Sequence, residues 1–208
     1  MKLTELKVSE LVDLVAQDSP APGGGSVAAL VAANGVALLG MVARLTKGKK
    51  KYLAHEELMD EILEAAGGLK QELLALVDTD TEAFNRVSAV FSMPKSTDED
   101  RAARQAAMQE ALKVAAEVPI EVMEKCLQAL KITYNALGKS NTNAASDLGV
   151  AAICLAAGVK GAWLNVKINL SGIKDESFVS NMTEKGIGYL GSADNLATKI
   201  YESTLAEL

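Results

Sequence analysis

At 208 residues the chain is long enough for one substantial core, and its formal net charge of −6 excludes the basic face that general nucleic-acid binding requires. Apolar residues make up 49% but aromatics only 4%, so the core must be built from Leu, Val, Ile, Met and Ala. Alanine and leucine favour helix, and the reading is all-α: one domain over residues 1–208, folded as an up-and-down bundle of long helices.

The N-terminus, MKLTELKVSE, has no apolar run after its lysine, so no signal peptide is expected; the expected location is cytoplasmic. Cys126 and Cys154 lie in apolar helical patterns and read as buried free thiols of a reducing compartment. A first helix is predicted from Ser9, as N-cap, to the breakers of SPAPGGGS, namely Pro20, Pro22 and Gly23–Gly25. Ser26 should then cap a central helix running to Thr46. Its segment SVAALVAANGVALLGMVA is shorter than the roughly 20 apolar residues of a membrane span and is interrupted by Asn34, so a buried helix is expected and no membrane partner.

Gly24 and Gly25 lead into that helix and could cradle an anion with free N–H groups, although a tight turn is the commoner use. No Gly-Lys-Ser/Thr or dinucleotide fingerprint accompanies them. The basic run Lys47, Lys49, Lys50, Lys51 suits a solvated loop, or a polycarboxylate substrate tail if a pocket borders it. His55 has no companions at metal-ligand spacing, so no metal is expected.

The third predicted helix, about His55 to Phe91, holds the most informative residue. Leu69, Leu73, Leu76, Ala83, Phe84, Val87 and Phe91 form one apolar stripe, and at roughly 100° per residue Asp80 falls near its centre. Asp78 and Glu82 fall on the opposite, solvent side. A carboxylate in a dry seam must find partners or shift its pKa. It either caps or pairs with a neighbouring helix, or it serves as a general acid/base.

MPKS ends this helix. Thr97 and Asp100 have capping-box spacing for a fourth helix, reaching about Leu137 and kinked at Pro119. After GKSN, a fifth runs from about Thr142 to Leu170. Asp147, Ala151, Cys154, Gly158, Gly161, Asn165 and Asn169 share one of its faces. Such small residues mean close helix packing, or else a groove in which Asp147, Asn165 and Asn169 are hydrogen-bonding groups. Asn141 is positioned as an N-cap or a ligand contact. SGIKDE interrupts, and a last helix follows, with a break expected around Gly186–Gly191.

In their order and spacing, PAPGGGSVAAL, MVARLTKGKKKY, VDTDTEAF, MPKSTDED, SDLGVAA and GAWLNVKINL resemble the cyclodeaminase/cyclohydrolase family of folate enzymes over nearly the whole chain. The resemblance implies a helical bundle that forms a homodimer, with clefts near the subunit interface. Asp80 matches the family's proposed catalytic aspartate. The implied substrate is a tetrahydrofolate derivative, polyglutamylated in some cases, with no separate cofactor. Gly24, Gly25, Ser26, Lys49, Lys50, Asn141, Asp147, Asn165 and Asn169 are the candidate substrate-binding residues. Lys49 and Lys50 stand where arginine is expected in the bifunctional members, and the two do not present equivalent donors. The implied reaction is hydrolysis of 5,10-methenyltetrahydrofolate to 10-formyltetrahydrofolate. The alternatives are the ammonia-releasing formimidoyltetrahydrofolate cyclodeaminase reaction and a non-catalytic folate-binding module. The absence of a transferase half within 208 residues favours the hydrolase.

Overall fold

Long proline-poor stretches rich in Ala, Leu and Glu wind into six α-helices in the computed structural model, which describes residues 2–208. They are α1 (Val8–Val15), α2 (Gly24–Thr46), α3 (Glu56–Val90), α4 (Asp98–Asn135), α5 (Ala145–Leu170) and α6 (Glu176–Glu207). Short 3₁₀ turns at Leu3–Glu5, Lys50–His55 and Thr142–Ala144 complete the regular structure, and no strand occurs among the described residues.

Helix starts follow local hydrogen-bond chemistry. At α4, Thr97 accepts from the Asp100 N–H at 3.0 Å while Asp100 accepts from the Thr97 N–H at 3.1 Å, a complete capping box. Asp175 caps α6 by accepting from the Phe178 N–H at 3.0 Å. Two predicted caps differ. α1 begins after Lys7, whose N–H is held by Glu10, so Ser9 lies inside the helix. α2 begins after Gly23 with no side-chain cap, and Ser26 sits in its first turn with its hydroxyl directed elsewhere.

α2 is the axis of the bundle. It runs antiparallel to α3 on one side, where Ser26 meets Asp80 and Gly40 faces Ala66. On the other side it runs antiparallel to α5. Its Ala32 abuts Gly158, and a Cβ on Gly158 would stand 2.9 Å from the Ala32 Cβ. A Cβ on Gly161 would likewise come within 3.1 Å of Ala28. The small face of α5 therefore serves close helix packing in its middle, and no groove opens there. α4 and α6 pack on the outer sides of α5, and the main core joins Ala29, Val36, Leu73, Met123, Leu130, Leu155 and Ile200 from five helices. α2 and the segment Thr142–Leu170 are each long and apolar enough to cross a membrane, and both are packed against other helices in this bundle.

α6 runs unbroken through Gly186–Gly191, contrary to expectation. Gly186 lies under the Trp163 ring, and a Cβ there would come to 2.1 Å from the indole. That glycine admits an aromatic side chain and does not end a helix. Pro119 sits inside α4 and deprives the Ala115 carbonyl of its i+4 donor. The Asn169 side chain supplies the replacement, its amide donating to Ala115 O at 2.8 Å. Phe91, placed in the apolar stripe by its spacing, is 65% exposed because the chain has already left α3.

Candidate active site

The antiparallel packing of α3 and α5 against α2 brings three helix ends together. The first turn of α2 meets the last third of α3 and the C-terminal end of α5. Between them lies a cleft of about 250 Å³ lined by Gly23–Gly25, Asp80, Phe84, Val87, Asn165 and Asn169 among others. Asp80 stands in an apolar stripe because the stripe leaves the core at this point and becomes a cleft wall. Ala83, Phe84 and Val87, three, four and seven residues later, line the same wall.

Asp80 accepts a hydrogen bond from the Ser26 hydroxyl at 2.9 Å, and that hydroxyl also lies 3.1 Å from the Thr81 hydroxyl. No ion pair engages Asp80 among the described residues. Burial pushes its carboxyl above the ordinary carboxylate range, opposed by the Ser26 hydroxyl and backbone. The first turn of α2, whose N–H groups have no side-chain cap, adds a favourable field for negative charge. Gly25 sets the approach: a Cβ there would fall 2.1 Å from Asp80 Oδ1, so only glycine allows the carboxylate this close to the helix start.

The asparagines form the facing wall. Asn165 donates to Gly161 O at 2.9 Å, and Asn169 donates to both Asn165 O and Ala115 O. Their NH₂ groups are thus engaged with backbone, while no protein donor among the described residues meets either side-chain oxygen. Those two oxygens are acceptors available to a ligand. Gly24 sits against Asn165, where a Cβ would lie 3.3 Å from its nitrogen.

Six of the candidate residues therefore meet: Gly24, Gly25, Ser26, Asp80, Asn165 and Asn169. The other four do not join them within one chain. Asn141 is buried at the far end of α2, its N–H donating to Thr46 Oγ1 at 2.8 Å and its side chain to Leu45 O at 3.1 Å. Twenty-one residues of helix separate Thr46 from Gly25, about 32 Å. Asp147 occupies the first turn of α5, at that same far end, and Lys49 and Lys50 lie just beyond Thr46. Tyr52 belongs there too, accepting from the Thr142 N–H at 3.0 Å. Asn141 is a brace between α2 and the turn before α5. Among the described residues no three His, Cys, Asp or Glu side chains gather as a metal site needs.

Several cleft residues went unrecognised in the sequence. Thr81, whose hydroxyl lies beside that of Ser26 behind the cleft wall, follows Asp80 directly and carries no periodic signal. Ala115 and Ile168 become cleft residues only through packing. Phe84 and Val87 were visible at the right spacing but read as core. Asp78, assigned to solvent, is partly buried and accepts from the Leu3 N–H at 2.6 Å and the Thr4 hydroxyl at 3.2 Å, tying the N-terminal turn to α3.

Against known proteins, residues 7–186 match the family model described as formiminotransferase-cyclodeaminase. The methenyltetrahydrofolate cyclohydrolase of Methylorubrum extorquens is 38% identical over 201 residues, covering 97% of each chain. The formimidoyltransferase-cyclodeaminase of Rattus norvegicus is 37% identical over 85% of this chain, which spans only 32% of that bifunctional protein. The crystal structure of a formiminotetrahydrofolate cyclodeaminase from Thermotoga maritima superposes with a TM-score of 0.84 at 33% identity, over 100% of this chain and 98% of that one. The whole-length likeness in both sequence and fold places the chain in the formiminotransferase-cyclodeaminase family, among the C-terminal-domain and cyclohydrolase homologues.

Proposed function

We propose that the protein hydrolyses 5,10-methenyltetrahydrofolate to 10-formyltetrahydrofolate, with Asp80 as general base and then general acid. The single observation that carries this reading is the unpaired Asp80 carboxyl on the cleft wall, held by Ser26 and destabilised as an anion by burial. The methenyl carbon is a cation shared between two nitrogens. Asp80 takes a proton from water as the C–O bond forms, then returns it to the departing N5 as that C–N bond breaks. The remaining hydroxyl proton leaves to solvent as the formyl carbonyl forms, so one proton is released per turnover. The side-chain oxygens of Asn165 and Asn169 accept hydrogen bonds from pterin N–H groups, each contributing on the order of 1 kcal/mol.

The full-length match to the Methylorubrum extorquens cyclohydrolase supports this reaction. A cyclodeaminase reading has its own support in the Thermotoga maritima structure, which this chain also covers end to end. In that chemistry the same carboxyl protonates departing ammonia. Supplying methenyl- and formimino-tetrahydrofolate separately, and following absorbance and ammonia release, distinguishes the two. Asp80→Asn should lower kcat at least about 10³-fold with helical circular dichroism unchanged. Turnover near the wild-type rate removes Asp80 from the mechanism.

The same reading includes a homodimer in a cytoplasmic setting. Val150, Ile153, Leu164 and Ile168 expose an apolar stripe along α5, and Ile168 is both 71% exposed and part of the cleft. A second copy packed antiparallel on that stripe closes the cleft rim. It also carries the far end of its own bundle, with Lys49, Lys50, Asn141 and Asp147, towards the first copy's Asp80.

A further inference from the structure

Behind Asp80 two hydroxyls are joined in a line that stands outside the cleft. The Ser26 hydroxyl donates to Asp80 Oδ2 at 2.9 Å, and the Thr81 hydroxyl lies 3.1 Å from the Ser26 oxygen. Ser26 is 3% exposed, and neither it nor Thr81 lines the cleft. Thr81 departs from the behaviour of other helical threonines. Thr46, Thr79 and Thr133 each donate to the carbonyl four residues back, at 2.7, 3.0 and 2.8 Å. Among the described residues the Thr81 hydroxyl has only Ser26 as a partner.

These contacts fix the direction of the line. A hydroxyl carries one proton to donate. Ser26 gives its own to Asp80, so the 3.1 Å contact is closed by the Thr81 proton, and the order runs from Thr81 to Ser26 to Asp80 Oδ2. A proton on Oδ2 would point at the Ser26 proton. Oδ1 is placed differently: it lies against Gly25 at the cleft, and no side-chain hydrogen bond engages it among the described residues. The two oxygens of one carboxyl are therefore inequivalent. No other titratable side chain lines the cleft among the described residues: α2 presents Gly24 and Gly25, α4 presents Ala115, and α5 presents Asn165, Ile168 and Asn169. On α3 itself Asp78 is turned to Leu3 and Thr4, and Glu82 is exposed.

We infer that Thr81 is a positioning residue whose hydroxyl commits the Ser26 proton to Asp80 Oδ2, which leaves Oδ1 as the oxygen that exchanges protons with the substrate. The inference rests on the proposed hydrolysis and deepens it. Oδ1 takes one proton from the attacking water as the C–O bond forms and returns it to N5 as the C–N bond breaks. Oδ2 keeps the Ser26 hydrogen bond through both steps, and polarisation along the line strengthens that bond while the carboxylate is charged. Without the Thr81 proton the Ser26 hydroxyl can reverse and accept from a protonated Oδ2. The carboxyl then holds its proton more tightly and holds it on the oxygen turned away from the cleft.

The test compares Thr81→Val, Thr81→Ala and Thr81→Ser with wild type, and adds Thr81→Val to Ser26→Ala. Thr79→Val makes the same chemical change on the same helix and serves as the control. kcat and KM for methenyl-tetrahydrofolate are read across pH. The Asp80 carboxyl is also titrated without substrate by carboxyl-carbon NMR, its signal assigned by its loss in Asp80→Asn. Thr81→Val should lower the Asp80 acid dissociation constant about threefold and kcat about three- to tenfold, with KM within about twofold of wild type. The acid limb of kcat/KM should move up with the titration. Thr81→Ala, which adds no methyl in place of the hydroxyl, should match Thr81→Val, and Thr81→Ser should restore wild-type values. In the Ser26→Ala background Thr81→Val should change neither quantity further. An effect of equal size in that background marks helix packing and overturns the inference, as does a titration and rate profile no different from that of Thr79→Val. A shifted titration in a protein that turns over no methenyl-tetrahydrofolate supports the hydroxyl line and defeats the proposed reaction. Normal hydrolysis with an unshifted titration in both Thr81→Val and Thr81→Ala does the reverse.

Discussion

The closest constraint in the cleft is the contact between Gly25 and Asp80, and Gly25→Ala tests it. The added Cβ would fall 2.1 Å from Asp80 Oδ1 and 2.6 Å from its Cγ, whereas ordinary contact begins at 3.4 Å. The carboxylate or the first turn of α2 must therefore shift by roughly 1 Å, and a displacement of that size at a reacting group costs about 10²-fold in rate. Stability should move far less. Losing the Ser26–Asp80 hydrogen bond costs about 1 kcal/mol, while replacing a helical glycine by alanine gains a similar amount. The expected variant has a melting temperature within a few degrees of wild type and a kcat lowered about a hundredfold in the methenyl-folate absorbance assay. A kcat within threefold of wild type, with the fold intact, would show that the placement of Asp80 is not what catalysis requires.

Asp80 also couples stability to pH. Its folded pKa is raised, so the folded state holds a proton the unfolded chain releases, and stability falls as pH rises from the ordinary carboxylate range through the folded value. Asp80→Asn should accordingly exceed wild type in urea stability at neutral pH, with the advantage shrinking towards acid; a constant difference across pH contradicts this. The acid limb of kcat/KM should lie above the ordinary carboxylate range, and Ser26→Ala, which removes a donor to the anion, should move it higher. Asn169→Leu leaves the Ala115 carbonyl without a partner and should cost about 1–3 kcal/mol, less in a Pro119→Ala background, where residue 119 regains its N–H; equal costs in both would unlink the pair. Ile153→Glu together with Leu164→Glu should leave a monomer in sedimentation with its cleft less active, and an unchanged oligomer would move the proposed interface off α5.

Helix number and order were readable because period and punctuation agree in this chain: Pro and Gly at 20–25, MPKS, GKSN and SGIKDE all separate helices where they were expected to. What misled was Gly186, which makes room for an indole and breaks no helix; Gly158 looks alike in sequence and makes room for an alanine of α2, the close packing that its spacing had offered beside a groove. Asp80 was legible as an exception to its stripe. Its partners were not, because Ser26 is 54 residues away and reaches it only through the register of α2 on α3. Asn141 and Asp147 shared a periodicity or a neighbourhood with Asn165, but a long helix carries such neighbours to opposite ends of the molecule. Helical spacing reports the face of a residue and says nothing of which end of the bundle that face serves.

In the proposed reaction one carboxyl acts as base and then as acid, which requires its proton affinity to change during turnover, and the surroundings of Asp80 would supply that change through the substrate. In the empty cleft, burial favours the protonated form while Ser26 and the start of α2 favour the anion, so neither state is locked by an ion pair. A methenyl cation entering the cleft adds the missing countercharge and shifts the balance to the anion, which is the base that water addition needs. Addition of hydroxide to that carbon then neutralises the cation. The countercharge is lost, burial again favours the proton on Asp80, and the carboxyl keeps it until N5 departs. A lysine beside Asp80 would hold it ionised through both steps and prevent the second, which is a physical reason for finding a serine and a helix start there.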